Sequence, residues 1–297
     1  ENFDTTGLYI LNQTTFNTGF LFRYGIRYDI NSIKIDSNNK INLDKINPSL
    51  GLSYTINSSD NLFFSFGTSF ETPTLNELSN NPDGSGFNKD LNSNNAVNYE
   101  VGWRKSLTNI AFEAVAYITN SDNEILPYEI EQFPGKNFYR NVGSTIRKGV
   151  ELSSTITFDR GFFSLNYTLS KNIFKDFIIN GVDLSDNLIP GIPSQMLDLE
   201  LLLKLSRKRT LILTNSLIGE RYADNLNETL IGSYNIFNVK YSKGILKNSE
   251  FSIGVNNLFN QEFYDNIRIN AFGKRYYEPA PKRNYYFGLN FSFWLDF

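Results

Sequence analysis

Hydrophobic and polar residues alternate with a period of two through most of the chain. From Met196 to Leu205, the odd positions 197, 199, 201, 203 and 205 are all Leu, while Asp198, Glu200 and Lys204 occupy the even ones. A helix would scatter those Leu around its circumference, so the alternation predicts a strand with one apolar and one polar face. Phe163, Leu165, Tyr167 and Leu169 alternate in the same way with Ser164, Asn166, Thr168 and Ser170. So do Phe20, Phe22, Tyr24, Ile26 and Tyr28 with Gly19, Arg23, Gly25, Arg27 and Asp29, and Val97, Tyr99, Val101 and Trp103 with Asn98, Glu100, Gly102 and Arg104. The last stretch places Tyr285, Phe287, Leu289, Phe291, Phe293, Leu295 and Phe297 on one face. Throughout the chain the pattern predicts 13 strands, at 5–14, 18–30, 46–56, 61–71, 95–105, 108–122, 143–158, 161–173, 192–206, 209–221, 231–243, 249–258 and 282–297.

Most of these segments exceed the five or six residues usual in soluble sheets. They match the roughly 9–11 residues of a tilted strand that crosses a bilayer. Short turns (14–17, 57–60, 106–107, 159–160, 207–208, 244–248) alternate with long loops (31–45, 72–94, 123–142, 174–191, 222–230, 259–281). That layout predicts an all-β fold, a transmembrane antiparallel β-barrel with short periplasmic turns and long outer loops. A soluble sandwich or β-helix would account for the alternation but not for one-sided loop lengths. Nor would it place Glu151, Glu200 and Lys204 on a core face, whereas a wide barrel has a wet lumen to receive them. No apolar run reaches the roughly 18 residues of a transmembrane helix.

Thirteen antiparallel strands leave the first and last parallel to each other, whereas single-chain bacterial barrels have even strand numbers. Open edges in lipid would strand backbone groups at several kcal/mol each. Either the count is off by one or part of the barrel is missing; the second is preferred, so residues 1–297 are expected to be one unit, the C-terminal part of a longer barrel. The opening Glu1-Asn2-Phe3-Asp4, without Met, basic leader or apolar leader, fits a cut or processed start.

Composition narrows the chemistry. The 297 residues include 2 Trp, 17 Tyr and 26 Phe but no Cys and no His, with a formal charge of −3. Disulfides, thiolate nucleophiles, imidazole metal ligands and His-based triads are thereby excluded. The balance of charge lacks the basic excess of a nucleic-acid binder. Neither a catalytic residue nor a metal or cofactor site is expected, and the absent His speaks against a haem receptor and a barrel protease or phospholipase.

Five segments carry a family resemblance. Gly67-Thr68-Ser69-Phe70-Glu71-Thr72-Pro73-Thr74-Leu75-Asn76-Glu77-Leu78 resembles a strand-to-loop motif of TonB-dependent outer-membrane receptors. Tyr139-Arg140-Asn141-Val142-Gly143 followed by Arg147-Lys148-Gly149-Val150-Glu151 resembles the start of one of their strands, and Asn187-Leu188-Ile189-Pro190-Gly191-Ile192-Pro193 a Pro motif before another. Gly254-Val255-Asn256-Asn257-Leu258-Phe259-Asn260-Gln261-Glu262-Phe263-Tyr264 resembles the near-terminal signature, and Arg283-Asn284-Tyr285-Tyr286-Phe287-Gly288 with terminal Phe297 the assembly signal. Phe70–Leu78 together with Arg275–Tyr285 is similar to the YncD-type receptors, linked to pyrroloquinoline quinone uptake.

The resemblance implies the last 13 strands of a 22-stranded barrel in the outer membrane of a Gram-negative bacterium, with nine strands and an N-terminal plug upstream. It further implies active import of a scarce small anionic ligand, a ferric siderophore or a cofactor such as pyrroloquinoline quinone. The implied partners are that ligand, the outer-membrane lipid and the TonB energy-transducing complex, which acts through the plug. The alternative is a passive porin or fatty-acid-type channel, which would have a complete even barrel.

An anionic chelate calls for Arg forks and ring faces on the outer loops. Arg140 and Arg147 flank the loop before the seventh strand, and Arg221 and Tyr222 open the next-to-last outer loop. Arg268, Lys274, Arg275, Tyr276 and Tyr277 lie in the final one. The competing assignment for each is a lumen ion pair or an interface anchor, with Arg147–Glu151 as the obvious pair. Thr72–Leu78 is expected to shape its loop, and Asn256-Asn257 to fix a strand end. The Asn227-Glu228-Thr229 glycosylation pattern is expected to carry no meaning.

Overall fold

The computed structural model describes residues 2–36, 39–83, 87–179, 181–246 and 248–292. Thirteen strands form one sheet in which each strand pairs antiparallel with its neighbours in sequence. They are β1 (Asn2–Thr15), β2 (Phe20–Asp36), β3 (Asn39–Thr55), β4 (Asp60–Glu71), β5 (Asn94–Ser106) and β6 (Ile110–Asp122). Then come β7 (Ser144–Phe158), β8 (Gly161–Asp176), β9 (Gln195–Ser206), β10 (Arg209–Ile218), β11 (Tyr234–Leu246), β12 (Ser249–Asn256) and β13 (Asn284–Phe291). Among the described residues β1 and β13 each pair on one side only. Both point the same way, as an odd antiparallel count requires. The expected extension of the last strand through Phe293, Leu295 and Phe297 lies outside the described residues.

Pairing register assigns the two faces. Asp198 lies opposite Ser216 and Asn166, and Asn98 opposite Thr119. Hydrogen bonds from Ser216 to Asp198 (2.6 Å), Thr119 to Asn98 (2.7 Å) and Asn238 to Thr214 (3.1 Å), with the Arg104–Glu113 ion pair, knit this polar face across the strands. It also carries glycines that lie under rings. A Cβ on Gly102 would meet the Phe63 ring at 2.3 Å, and one on Gly254 the Tyr286 ring at 2.3 Å. Each ring belongs to the residue directly opposite its glycine, so the ring covers backbone that has no side chain of its own. The other face is apolar and exposed, with Val101, Ile253, Tyr285, Phe287 and Leu289 all open. An apolar surface of this extent belongs in hydrocarbon.

One predicted loop is not a loop. Residues 31–36 continue β2 and residues 39–45 begin β3, paired with each other, with Asn31 opposite Leu43 and Ile33 opposite Ile41. Up to Ile30 the apolar residues sit at even positions and face out, and Ile26, Ile30 and Ile46 are exposed. Beyond that level the phase flips. Ile33 turns to the inner face, is buried, and packs with Leu78, Leu91, Ile41 and Leu43. Above the lipid the outside is wet, so the apolar side must turn inward.

The remaining five long connections fold into a layer on that same edge. It holds helix α1 (Leu75–Ser79) and four two-stranded ribbons: Ile125–Tyr128 with Phe138–Asn141, Ile178–Ile179 with Val182–Asp183, Arg221–Tyr222 with Leu230–Ile231, and Tyr264–Ile267 with Tyr277–Pro279. The helix starts at a reciprocal capping box in which Thr74 and Glu77 satisfy each other's backbone N–H, the loop-shaping role expected of this motif. Nearly all fully buried apolar side chains are in this layer or at its base, among them Phe138, Val142, Phe174 and Leu78. Each contributes about 1.5–3 kcal/mol of transfer free energy. Among the described residues no helix is long and apolar enough to cross a membrane.

Candidate functional site

The loop layer is tied together by Asn and Glu side chains. Asn270 has φ 54°, a left-handed conformation that Asn tolerates. Its side chain accepts from Asn225 N–H at 2.9 Å and donates to Asn225 Oδ1 at 3.2 Å and to the Pro127 carbonyl at 3.4 Å. Asn187 donates to the Asn225 carbonyl at 2.9 Å, and Asn227 holds both backbone groups of Leu188 at 2.7 and 2.8 Å. Four loops therefore share one hydrogen-bonded set. With its side chain so engaged, Asn227 serves as a loop tie. Asn257 serves similarly at the end of β12. It has φ 53° and exchanges hydrogen bonds with Gln261 at 2.8 and 2.9 Å, while its N–H donates to Asn238, as expected for a strand-end residue.

Beneath these ties opens a cavity of about 360 Å³, lined by Tyr128, Glu129, Arg140, Leu184, Asp224 and Tyr276 among others. The size lies at the lower end of small-molecule sites. Arg140 stands opposite Leu126 in its ribbon, with its guanidinium 3.7 Å from the centroid of the Tyr128 ring. It is half-buried and forms no ion pair among the described residues. Burial lowers its pKa below the ordinary guanidinium value, the mark of a cation desolvated without a carboxylate to offset the cost. Tyr276 is buried with Ala223, Ile231 and Ala271. Burial first, and the nearby Asp224 carboxylate second, hold its hydroxyl above 10.0 and hence neutral.

The two acids in the lining are already occupied. Asp224 accepts from the N–H groups of Glu228 and Thr229 at 3.1 and 3.0 Å. The Glu129 side chain is 1 % exposed and accepts from Arg268 at 2.5 Å, Gly135 N–H at 3.1 Å and Phe272 N–H at 3.3 Å, with Arg275 at 3.8 Å. One carboxylate thus answers two of the sequence-predicted arginines. In this cavity Arg140 is left as the cation without a carboxylate partner among the described residues.

The other predicted residues fall elsewhere. Arg221 is buried, donates to the Tyr264 carbonyl at 3.1 Å and lies 5.6 Å from the Tyr234 ring, while its Nη1 has no hydrogen-bond partner. With Tyr222 it lines a separate cavity of about 90 Å³. Tyr277 is exposed, and its ring lies 4.6 Å from that of Tyr264 at a tilt of 38°. Lys274 is exposed on a turn at φ 57°. Arg147 faces the lumen, and its partner is Glu124, not Glu151. Four residues along one strand is about 13 Å, too far for a direct pair, whereas Glu124 in the preceding loop also accepts from Thr145 at 2.7 Å beside it.

The chain matches the family model described as TonB dependent receptor-like, beta-barrel, over residues 1–258. It belongs to this family. TonB-dependent receptors are outer-membrane proteins, so the exposed apolar face is the lipid face and the loop layer looks outward. The chain is 33 % identical over 107 residues to the vitamin B12 transporter of Vibrio vulnificus strain CMCP6, a stretch that is 35 % of this chain and 16 % of that protein. Its fold is similar to that of the siderophore receptor PiuA from Acinetobacter baumannii, with TM-score 0.77 and 18 % identity over 97 % of this chain and 43 % of that one. The copper transporter OprC gives TM-score 0.77 and 16 % identity over 98 % of this chain and 48 % of that one. The chain spans less than half the length of these receptors.

Sequence reasoning missed Glu129, Tyr128, Asp224 and Asn270 in the receptor's outer layer. The search was for cations and rings that meet an anion, and nothing in Tyr128-Glu129-Ile130-Glu131 marks one Glu as buried and the other as exposed.

Proposed function

We propose that this chain forms the C-terminal part of the wall of a receptor that actively imports a small, ring-bearing anion across the outer membrane. The observation that carries this is Arg140: a half-buried guanidinium, seated on the Tyr128 ring, that faces a cavity and lacks a carboxylate partner. An incoming carboxylate or catecholate would supply the missing charge through bidentate hydrogen bonds. Tyr128 and Tyr276 would offer ring faces, and Ile179, Val182, Leu184 and Leu226 an apolar wall. A planar polycarboxylate such as pyrroloquinoline quinone suits that combination, as does one arm of a ferric catecholate. The role is binding and gating, without bond-making chemistry, and energy would come from TonB through a plug that fills the completed barrel.

The test is equilibrium binding of pyrroloquinoline quinone and of a ferric catecholate to the intact receptor and to its Arg140→Ala variant. A loss of at least about tenfold is expected, about 1.4 kcal/mol. Unchanged affinity for whichever ligand binds would remove Arg140 from the site. Uptake that persists after the proton gradient is collapsed would exclude active transport in favour of a passive channel.

A further inference from the structure

Arg209 and Lys243 stand directly opposite each other where β10 and β11 pair. Residues so placed lie about 5 Å apart with side chains on the same face, and like charges there repel. Register assigns that face. Arg209 is in phase with Leu211 and Leu213, and Lys243 with Tyr241 and Val239, all on the outward side; Thr214, Asn238 and Ser242 take the lumen side. Both cations are exposed, and neither forms an ion pair among the described residues.

Their level on the wall is equally defined. One side is the short-turn rim, where Arg207 and Lys208 join the exposed cations. On the other side the next outward rung is Leu203, Leu211 and Tyr241, and the one beyond is Leu201, Leu213 and Val239. Phe251 continues the cationic rung on β12. Two cations at the edge of an apolar band, beside a ring, mark the headgroup level of the periplasmic leaflet. Among the described residues the acids nearby face elsewhere: Glu250 pairs with Gly244 on the lumen side, and Asp159 lies in another turn.

We propose that Arg209 and Lys243 form a binding site for the headgroup of an anionic glycerophospholipid of the periplasmic leaflet. Its phosphate sits between the two cations, and its acyl chains lie along Leu203, Leu211 and Tyr241. The anion cancels a cross-strand repulsion that no protein group among the described residues relieves. This is independent of the ligand carried through the barrel.

The test is native mass spectrometry of the intact receptor titrated with dioleoylphosphatidylglycerol, with dioleoylphosphatidylcholine as the zwitterionic comparison. The decisive variant is Lys243→Glu, which turns the repelling pair into a cross-strand ion pair and should leave the folded barrel at least as heat-resistant. It is expected to lower phosphatidylglycerol occupancy about tenfold and to leave phosphatidylcholine adducts unchanged. Lys40→Glu, at the opposite end of the sheet, alters net charge equally and should retain full occupancy. Undiminished phosphatidylglycerol binding by Lys243→Glu, or an equal loss in Lys40→Glu, would overturn the proposal.

Discussion

Replacing Glu129 with Ala is expected to loosen the outer layer without disturbing the wall. The carboxylate is almost entirely buried and holds the 123–143 loop to the last loop, 139 residues away, through Arg268. A hydrogen bond to a charged group is worth about 1.5–3 kcal/mol, and breaking a buried pair costs about 3–5 kcal/mol. Arg268 is one-third exposed and keeps its bond to the Gly135 carbonyl at 3.2 Å, while Gly135 and Phe272 are exposed enough for water to replace their lost acceptor. The cost therefore falls at the lower bound, about 3 kcal/mol, and is confined to the loops. At 1.4 kcal/mol per decade this is roughly a 150-fold rise in local opening. Hydrogen exchange read by mass spectrometry should show it in peptides covering 125–141 and 264–280, with peptides of β3 and β4 unchanged as an internal reference. Arg268→Ala added to Glu129→Ala should cost little more, because the pair is already broken. Unaltered exchange in both loop peptides would refute the assignment of Glu129 as the tie between them.

Two further outcomes follow from the geometry. Asn257→Ala removes a paired bond to Gln261 and forces Ala into a φ of 53°, so the β12–β13 connection should lose about 2–4 kcal/mol; limited proteolysis between 257 and 264 should become faster, and an unchanged cleavage rate would contradict this. Tyr276, whose folded pKa is raised above 10.0, contributes stability that is fully present below pH 10 and lost as pH rises through the folded value; ultraviolet titration should show a late-ionising group of phenols that loses one member in Tyr276→Phe, and an unchanged late group would count against the burial.

The wall was legible because a strand crossing lipid must alternate, and each of the thirteen alternating segments falls on a strand of the sheet. The one failure has the same origin. Between Ile30 and Ile33 the apolar phase slips from even to odd positions, and a slip in alternation looks like the end of a strand, although here it marks the end of the membrane. The site was less legible. Arg140 and Tyr276 do meet at one cavity, but Arg268 and Arg275 meet at Glu129 instead, and Arg147 pairs across a loop with Glu124. Which cation keeps a carboxylate and which is left without one depends on contacts that range from 23 residues apart (Arg147–Glu124) to 139 (Arg268–Glu129), and no local spacing encodes them.

The separation of the two kinds of apolar surface has a thermal consequence. Wall side chains exchange water for lipid and stay exposed in the protein itself, whereas Phe138, Phe174, Leu78 and their neighbours leave solvent only when the loops fold. When the loops unfold and the wall stays in lipid, the apolar surface newly exposed to water is that of the outer layer, so the heat-capacity change bends its stability curve and leaves that of the lipid-bound, hydrogen-bonded wall untouched. Cooling weakens the first and spares the second. A wall and loop layer built in this way keep the lipid face firm in the cold while the outer surface becomes softer.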